Sequence, residues 1–127
     1  MRVRDFECRS YEAAVHLLGG CTRRKLCHNT YLQRDHVSGG IGIHLHENQI
    51  VLFQENKPMR ISSCGWKTVT TKQRLNRCLP PHCHLYQVKF DWEVDIIMVE
   101  PRTGRMKPVP HRFFDGMEID DRGNSIG

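Results

Sequence analysis

Short apolar runs joined by tight turns are the feature that most restricts what this chain can fold into. Ile41, Ile43 and Leu45 alternate with smaller or polar residues, and this period of two is typical of a strand buried on one face. After a predicted turn at residues 47–48, residues 50–53 are apolar at every position, which predicts a central strand. Since such short connections join neighbouring antiparallel strands, the pattern predicts an antiparallel meander.

Further extended segments continue this meander on both sides. They are predicted at residues 29–33, 59–62 and 96–99, and in the alternation of Tyr86, Val88 and Phe90. Together the segments predict one α+β domain with a mainly antiparallel sheet of about five to seven strands and two short helices on one face.

Each of the two helices carries recognisable end signals. Ser10 can cap a helix over Tyr11 to Leu18, which the glycines at 19–20 end. For the second helix, Thr70 is the predicted N-cap, and the prolines at 80–81 stop it.

Size and charge limit the class of protein. The 127 residues fit one domain over residues 1–127, with a polar tail from about residue 120. The net charge of +5 favours an acidic partner, which can be a nucleic acid, a nucleotide or an acidic protein surface.

No run approaches the roughly 20 apolar residues of a membrane span, and the N-terminus lacks an apolar signal-peptide core. We therefore expect a cytoplasmic protein with no membrane partner, in which the six cysteines are free thiols. The oligomeric state stays open.

Residues 65–77 are the segment with the clearest functional signal. They hold one tryptophan, three threonines and four cations. If the helix begins after Thr70, Lys72, Arg74 and Arg77 occupy its first turns, where carboxylates usually complement the helix dipole. Cations at that end are favourable when an anion is bound there, and phosphate is the simplest such anion. The alternative is an ordinary helix with a solvated basic face.

The phosphate hypothesis has a definite set of residues. Trp66 can stack on a base, although it can equally pack in the core. Hydroxyl groups and cations of the segment would hold the phosphate, and two residues outside it are candidate neighbours. The predicted ligand-binding set is Asn29, His46, Trp66, Thr68, Thr70, Thr71, Lys72 and Arg74. A second basic cluster at residues 23–25 can extend this surface or form a solvated loop.

Four blocks of the sequence together resemble a family of small proteins from bacteriophages and mobile elements. They are residues 29–31, residues 45–51, the Gly-Trp-x-Thr-x-Thr-Thr-Lys-x-Arg-x-Asn block at 65–76, and residues 114–119. The resemblance implies one small α+β domain and a phage origin, and it carries no particular activity with it. Cys64 stands where a second glycine is common in the family, and Asn48-Gln49 replaces a more usual Thr-Asp pair.

Histidines offer a second chemistry. His44 and His46 are expected on the same face of one strand, about 7 Å apart. Two such imidazoles can bind zinc or act as an acid and base pair. As an enzyme, the chain would use His44, His46 and Lys72 in one cleft. A third metal ligand would come from Cys27, His28, His82, Cys83 or His84.

Two further metal sites are weaker possibilities. Zinc could bind Cys78, His82, Cys83 and His84 with help from Cys21, Cys27 and His28, but this spacing is unusual. Asp91, Glu93 and Asp95 share one strand face and could hold a divalent cation, or form an ordinary solvated edge. No cofactor is predicted, with zinc as the alternative.

These observations predict a binding module for a phosphate-bearing ligand, either a nucleic acid or a signalling nucleotide, with a counter-defence role as one possibility. Two alternatives stay open. One is a protein that inhibits a host nucleic-acid enzyme or defence complex by binding to it. The other is a histidine-dependent or metal-dependent phosphodiesterase or nuclease.

Overall fold

Two antiparallel sheets and two helices make up the fold. The computed structural model describes residues 6–119. The larger sheet has the strand order β1-β2-β3-β4-β5-β9, and the smaller has the order β6-β7-β8. The elements in chain order are α1 (Tyr11–Leu18), β1 (Arg23–Cys27), β2 (Thr30–Arg34), β3 (Ile41–Leu45), β4 (Asn48–Phe53), β5 (Met59–Ile61), α2 (Val69–Asn76), β6 (Cys83–Val88), β7 (Asp91–Val99), β8 (Met106–Arg112) and β9 (Met117–Ile119).

A row of buried side chains crosses five strands of the larger sheet. Leu32 pairs with Ile43, Ile43 with Val51, Val51 with Ile61, and Ile61 with Met117. All five are at most 1% exposed. Since a slip of one residue would turn this row to the solvent, its burial fixes the register of the sheet.

Both helices contribute to the same hydrophobic core. Ala14 and Leu18 of α1 and Leu75 of α2 belong to one buried cluster with the strands. The N-cap of α1 is Ser10, whose side chain accepts a hydrogen bond from the amide of Ala13. The bounds predicted for this helix are confirmed.

The α+β class, the antiparallel meander and the two short helices are confirmed. Six strands of the larger sheet fall within the predicted number, and the second sheet brings the strands of the described residues to nine. The predicted polar tail from about residue 120 lies outside residues 6–119. None of the described helices has the length and apolar character needed to cross a membrane.

Two details of the prediction are wrong. The basic cluster at residues 23–25 is part of the edge strand β1 and is not a loop. In β6 the residues that face the core are Cys83 and Leu85. The alternation of Tyr86, Val88 and Phe90 therefore lies on the other face, and Phe90 in the following turn is 92% exposed.

Candidate binding pocket

A pocket of about 550 Å³ lies at one end of the larger sheet. The β1–β2 turn, the β3–β4 turn, the loop from β5 to α2 and the first part of α2 surround it. Six of the eight predicted ligand-binding residues line this pocket: Asn29, His46, Trp66, Thr68, Thr70 and Arg74. The other lining residues are His28, Leu45, Asn48, Ile50 and Ser63.

The two turns that border the pocket are joined to each other. Asn29 and His46 both have left-handed backbones, with φ of 54° and 56°. The amide of His46 donates a hydrogen bond of 2.6 Å to the carbonyl of Asn29. Both residues lie in tight turns between paired strands, where Asn and His adopt left-handed backbone more readily than most residues. Here it sends both side chains away from their strands and into the pocket wall.

The loop from β5 to α2 is held by a carboxylate from a distant part of the chain. The amide and the hydroxyl of Ser63 both donate to Oδ1 of Asp115, each at 2.8 Å. Cys64 and Gly65 follow with positive φ, and the amide of Trp66 bonds the carbonyl of Ser63 at 2.9 Å. This turn places Trp66 at the pocket.

Arg74 is the cation of the pocket, and a buried hydroxyl positions it. Its Nε donates to Oγ1 of Thr30 at 2.9 Å, and the Thr30 hydroxyl donates to the carbonyl of His28 at 3.0 Å. Thr30 is completely buried in β2. Within residues 6–119, no carboxylate forms an ion pair with Arg74, and its two terminal nitrogens have no hydrogen-bond partner. The guanidinium is therefore anchored by one nitrogen and has two others available.

The charge of the pocket wall suits an anion. Of the described residues, those that line the pocket include Arg74, His28 and His46 and no carboxylate. The first turn of α2 also borders the pocket through Thr68 and Thr70. The positive end of a helix dipole adds to the attraction for negative charge.

The start of α2 differs from the prediction. The N-cap is Thr68, whose Oγ1 accepts from the amide of Thr71 at 3.2 Å, so Thr70 is the second helical residue and not the cap. Lys72 is consequently the fourth helical residue, Arg74 lies in the last turn, where the dipole favours it, and Arg77 is the C-cap. The argument from cations crowded at the positive helix end is therefore wrong. Thr71 is buried, with its hydroxyl 3.0 Å from that of Thr68, and it does not line the pocket.

Lys72 is also separated from the other predicted site residues. Its Nζ donates to Oε1 of Gln87 at 3.0 Å and lies 6.0 Å from the ring centroid of Trp92. Residues two positions apart on a helix, such as Lys72 and Arg74, point in directions that differ by about 200° around the helix axis. Lys72 therefore faces the smaller sheet, while Arg74 faces the pocket.

Trp66 is not a core residue. Its side chain is 63% exposed, whereas Trp92 is only 2% exposed and packs at 5.3 Å between ring centroids against Phe113. The interpretation of Trp66 as core packing is wrong. Its position at the pocket rim leaves a ring face open to a planar ligand.

The two histidines predicted as a pair do not act as one. His46 lies in the turn after β3, where the strand alternation ends, and it lines the pocket. His44 remains in β3, is half-buried and is not a lining residue. Burial lowers the pKa of His44, and Arg23 lowers it further. The proposed cleft of His44, His46 and Lys72 is not formed.

Metal ligands do not assemble in the part of the chain that the structure describes. Residues 6–119 contain no group of three or more His, Cys, Asp or Glu side chains placed to hold an ion. No three of the cysteines and histidines proposed as zinc ligands are thus brought together in residues 6–119. Of the acidic face on β7, Asp95 Oδ1 and Glu93 Oε2 lie 2.8 Å and 3.0 Å from the hydroxyl of Tyr86 and share its one proton, and Asp91 pairs with Arg112. The bond to Asp95 raises the pKa of Tyr86.

Some residues of the site were missed from the sequence. Thr30 lies in one of the blocks that resemble the phage family, but the sequence does not predict it as the anchor of Arg74, and it predicts His28 only as a metal ligand. Leu45 and Ile50 line the pocket as apolar floor residues. The signal for these two residues was their closeness to the β3–β4 turn: Leu45 ends β3 and Ile50 is the third residue of β4, which places both at the same end of the sheet as Asn29.

Comparison with known proteins gives one family. The family model described as Kyanoviridae Gp96 protein matches residues 13–120, which is most of the chain. No curated protein and no solved structure matches the chain. The match confirms the resemblance to phage proteins at the level of a family.

Proposed function

The chain belongs to the Kyanoviridae Gp96 protein family, and we propose that this phage protein binds a phosphate-bearing ligand, a nucleotide or a nucleic-acid strand, in the pocket beside α2. The observation that carries the proposal is Arg74. A buried threonine fixes its Nε, and its terminal nitrogens have no partner among residues 6–119. A planar guanidinium in this state is suited to bidentate contact with two phosphate oxygens.

The remaining lining residues complement the other parts of a nucleotide. Trp66 offers an exposed ring for stacking on a base, which contributes roughly 1–3 kcal/mol. Leu45 and Ile50 provide apolar surface, while Asn29 and Asn48 provide amide groups for polar edges. The pocket volume of about 550 Å³ is typical of small-molecule sites.

A role against host defence fits this proposal in one way. A phage protein that holds a signalling nucleotide without altering it removes that signal from the host. The proposal is therefore a binding module that sequesters a nucleotide, and the same pocket would grip a single strand if the ligand is a nucleic acid.

Two histidines that line the same pocket give the enzymatic alternative a definite pair of candidate residues. His28 and His46 both line the wall that holds Arg74. Imidazoles near a bound phosphate can act as acid and base in phosphodiester cleavage. The earlier set of His44, His46 and Lys72 is replaced by His28 and His46 in this alternative.

The test is a binding and turnover panel. Purified protein is titrated with inorganic phosphate, linear and cyclic mononucleotides, cyclic dinucleotides and a single-stranded DNA of about ten nucleotides, with and without a chelator. Retention without product supports the binding module. Product formation that requires His28 and His46 supports the enzyme. If no member of the panel binds, the pocket proposal is refuted and a protein target becomes the leading function.

A further inference from the structure

The side of the pocket formed by α2 and the loop before it limits how much of a nucleotide the pocket can hold. Trp66, Thr70 and Arg74 all line this side. Trp66 lies before the N-cap Thr68, and Arg74 is the sixth residue of α2. At the usual helical rise, Thr68 and Arg74 are about 9 Å apart along the axis. This wall therefore presents an aromatic ring at its beginning and a guanidinium less than two turns later.

Thr70 and Arg74 act on the same part of the wall. Because they are four residues apart, they lie on one face of α2. Side chains of a helix lean toward its N-terminus, so the side chain of Arg74 covers the turn that contains Thr70. Within residues 6–119, neither the hydroxyl of Thr70 nor the terminal nitrogens of Arg74 form a hydrogen bond. The wall thus offers one hydroxyl and two guanidinium nitrogens to a single anionic group.

The permanent positive charge of the lining is small. Of the described residues that line the pocket, Arg74 is the one arginine or lysine, and the other basic groups are the imidazoles of His28 and His46. Lys72 faces the smaller sheet, where it bonds Gln87. A phosphate monoester carries a charge of about −1.5 to −2 at pH 7, which one arginine and polar donors can hold. A second or third phosphate group would meet no further arginine or lysine of this lining.

The lining is also unsuited to the magnesium ion that accompanies a nucleoside triphosphate. Proteins usually hold this ion through one or two carboxylates together with the phosphates. Among residues 6–119, no carboxylate lines the pocket. Asp115 accepts two hydrogen bonds from the lining residue Ser63 but is not itself a lining residue. The described lining therefore matches a phosphate group that arrives without a metal ion.

We propose that the nucleotide of this pocket has a single phosphate group and binds without a divalent cation, which rests on the function proposed for the same residues. The base stacks on Trp66. The two terminal nitrogens of Arg74 and the hydroxyl of Thr70 hold the phosphate, and the ribose lies between base and phosphate. The class comprises nucleoside monophosphates and cyclic mononucleotides.

The test is isothermal titration calorimetry of the full chain. The four ribonucleoside 5′-monophosphates are compared first. For the base that binds most tightly, the nucleoside, the monophosphate, the 3′,5′-cyclic monophosphate, the diphosphate and the triphosphate are then titrated in turn. Each titration is made with magnesium chloride and again with EDTA.

The number of phosphate groups should matter only up to one. We expect the monophosphate to bind about 100-fold more tightly than the nucleoside, which lacks the group that Arg74 holds. A second and a third phosphate should change the affinity by no more than about threefold, with magnesium or without it. The affinity of the monophosphate should stay within about twofold when EDTA replaces magnesium, because no carboxylate of the described lining holds the ion.

A variant of Thr70 tests where the phosphate lies. Thr70→Val removes the hydroxyl and keeps a β-branched residue at an exposed position of the helix. The affinity for the monophosphate should fall about tenfold, whereas the affinity for the nucleoside should not change. The matched control is Thr22→Val, which alters an exposed threonine that does not line the pocket and should bind both ligands as the parent does.

The outcomes separate this inference from the proposed function. Tighter binding of the magnesium triphosphate than of the monophosphate by more than about tenfold would overturn the inference alone. Loss of monophosphate binding in EDTA would do the same, as would retention of a single-stranded DNA of about ten nucleotides when no mononucleotide binds. In Thr70→Val, an unchanged affinity for the monophosphate, or an equal loss for nucleoside and monophosphate, would refute the phosphate position. If neither the nucleotides nor the strand bind, the pocket function is refuted together with the inference.

Discussion

Replacement of Arg74 by alanine removes the guanidinium from the pocket and leaves the rest of the wall in place. Two charge-assisted hydrogen bonds to a phosphate contribute about 1.5–3 kcal/mol each, and the pair together about 3 kcal/mol because the contributions do not add fully. A loss of this size weakens binding by about 100-fold. The cost to folding is smaller. Only the bond from Nε to Thr30 is lost, and the Thr30 hydroxyl keeps its bond to the carbonyl of His28.

Thermal stability should therefore change little in Arg74→Ala. One hydrogen bond corresponds to about 1 kcal/mol, which shifts the Tm of a domain of this size by about 4 °C. Binding is measured through tryptophan emission, with ATP, cyclic AMP and inorganic phosphate as probes. Trp66 is exposed at the pocket and should be quenched by a stacked base, whereas the buried Trp92 gives a constant background.

Lys72→Ala is the matched control for this prediction. It removes the same charge from the same helix, but the lysine contacts Gln87 on the opposite side. We expect its affinity to stay within about twofold of the parent, because Lys72 does not line the pocket and an exposed charge outside it is partly screened by salt. If Lys72→Ala weakens binding as much as Arg74→Ala, the ligand is attracted by the net charge of the protein and not by the guanidinium of Arg74. If Arg74→Ala binds as tightly as the parent, the pocket does not hold a phosphate.

Three other outcomes test the architecture around the site. Asp115→Ala removes the acceptor of two hydrogen bonds from the loop before α2, so nucleotide affinity should fall about tenfold and hydrogen exchange in that loop should rise, with no change in exchange of the sheet. Gly40→Ala would place a Cβ 2.3 Å from the carbonyl oxygen of Phe53 and should lower the free energy of unfolding, measured by urea titration, by about 2–3 kcal/mol. In the control Gly20→Ala the new Cβ meets no atom within 4 Å, so this variant should be as stable as the parent. Equal effects of the two variants would refute the steric argument. Burial raises the pKa of Cys8 from 9.0 to about 12, so the folded state holds the thiol proton more tightly than the unfolded chain does. The free energy of unfolding should therefore be unaffected below pH 9 and should fall by about 1.4 kcal/mol per pH unit towards pH 12. Cys8→Ala should reduce this slope.

Much of the fold was predictable because local signals and tertiary packing agree. The alternation of Ile41, Ile43 and Leu45 gave β3, and Ser10 with Gly19 gave the bounds of α1. The strand β1 was not predicted, since an edge strand pairs on one side only and can carry cations at most positions, as a loop does.

The position of the second helix shows where local signals end. Thr68 and Thr70 can both cap a helix, and only Thr70 is followed three residues later by a residue of the capping box, Gln73, so the local signal favours the wrong threonine. The choice of Thr68 follows from the loop turn at Cys64 and Gly65, which tertiary contacts hold. Six of the eight predicted residues still line one pocket: four of them lie in turns or in the loop before the helix, and Thr70 and Arg74 extend from α2 to the same pocket.

The separation of Lys72 from Arg74 could be predicted from helix geometry once a helix was predicted for this segment. Residues two apart cannot share a face, whichever threonine is the cap. The role of Thr30 was not accessible in this way, because the contact spans 44 residues and depends on the packing of α2 against the sheet.

The tie between Ser63 and Asp115 has a consequence for how the protein is made. The pocket loop and the strand β5 precede their partners Asp115 and β9 in the chain, and Ser63 and Asp115 are 52 residues apart. During translation the helices and the first five strands can emerge and pair while this loop is still untethered. The pocket loop is therefore tethered only after Asp115 has been synthesised, 52 residues after Ser63, and a product truncated before Asp115 would have the first five strands without this tether.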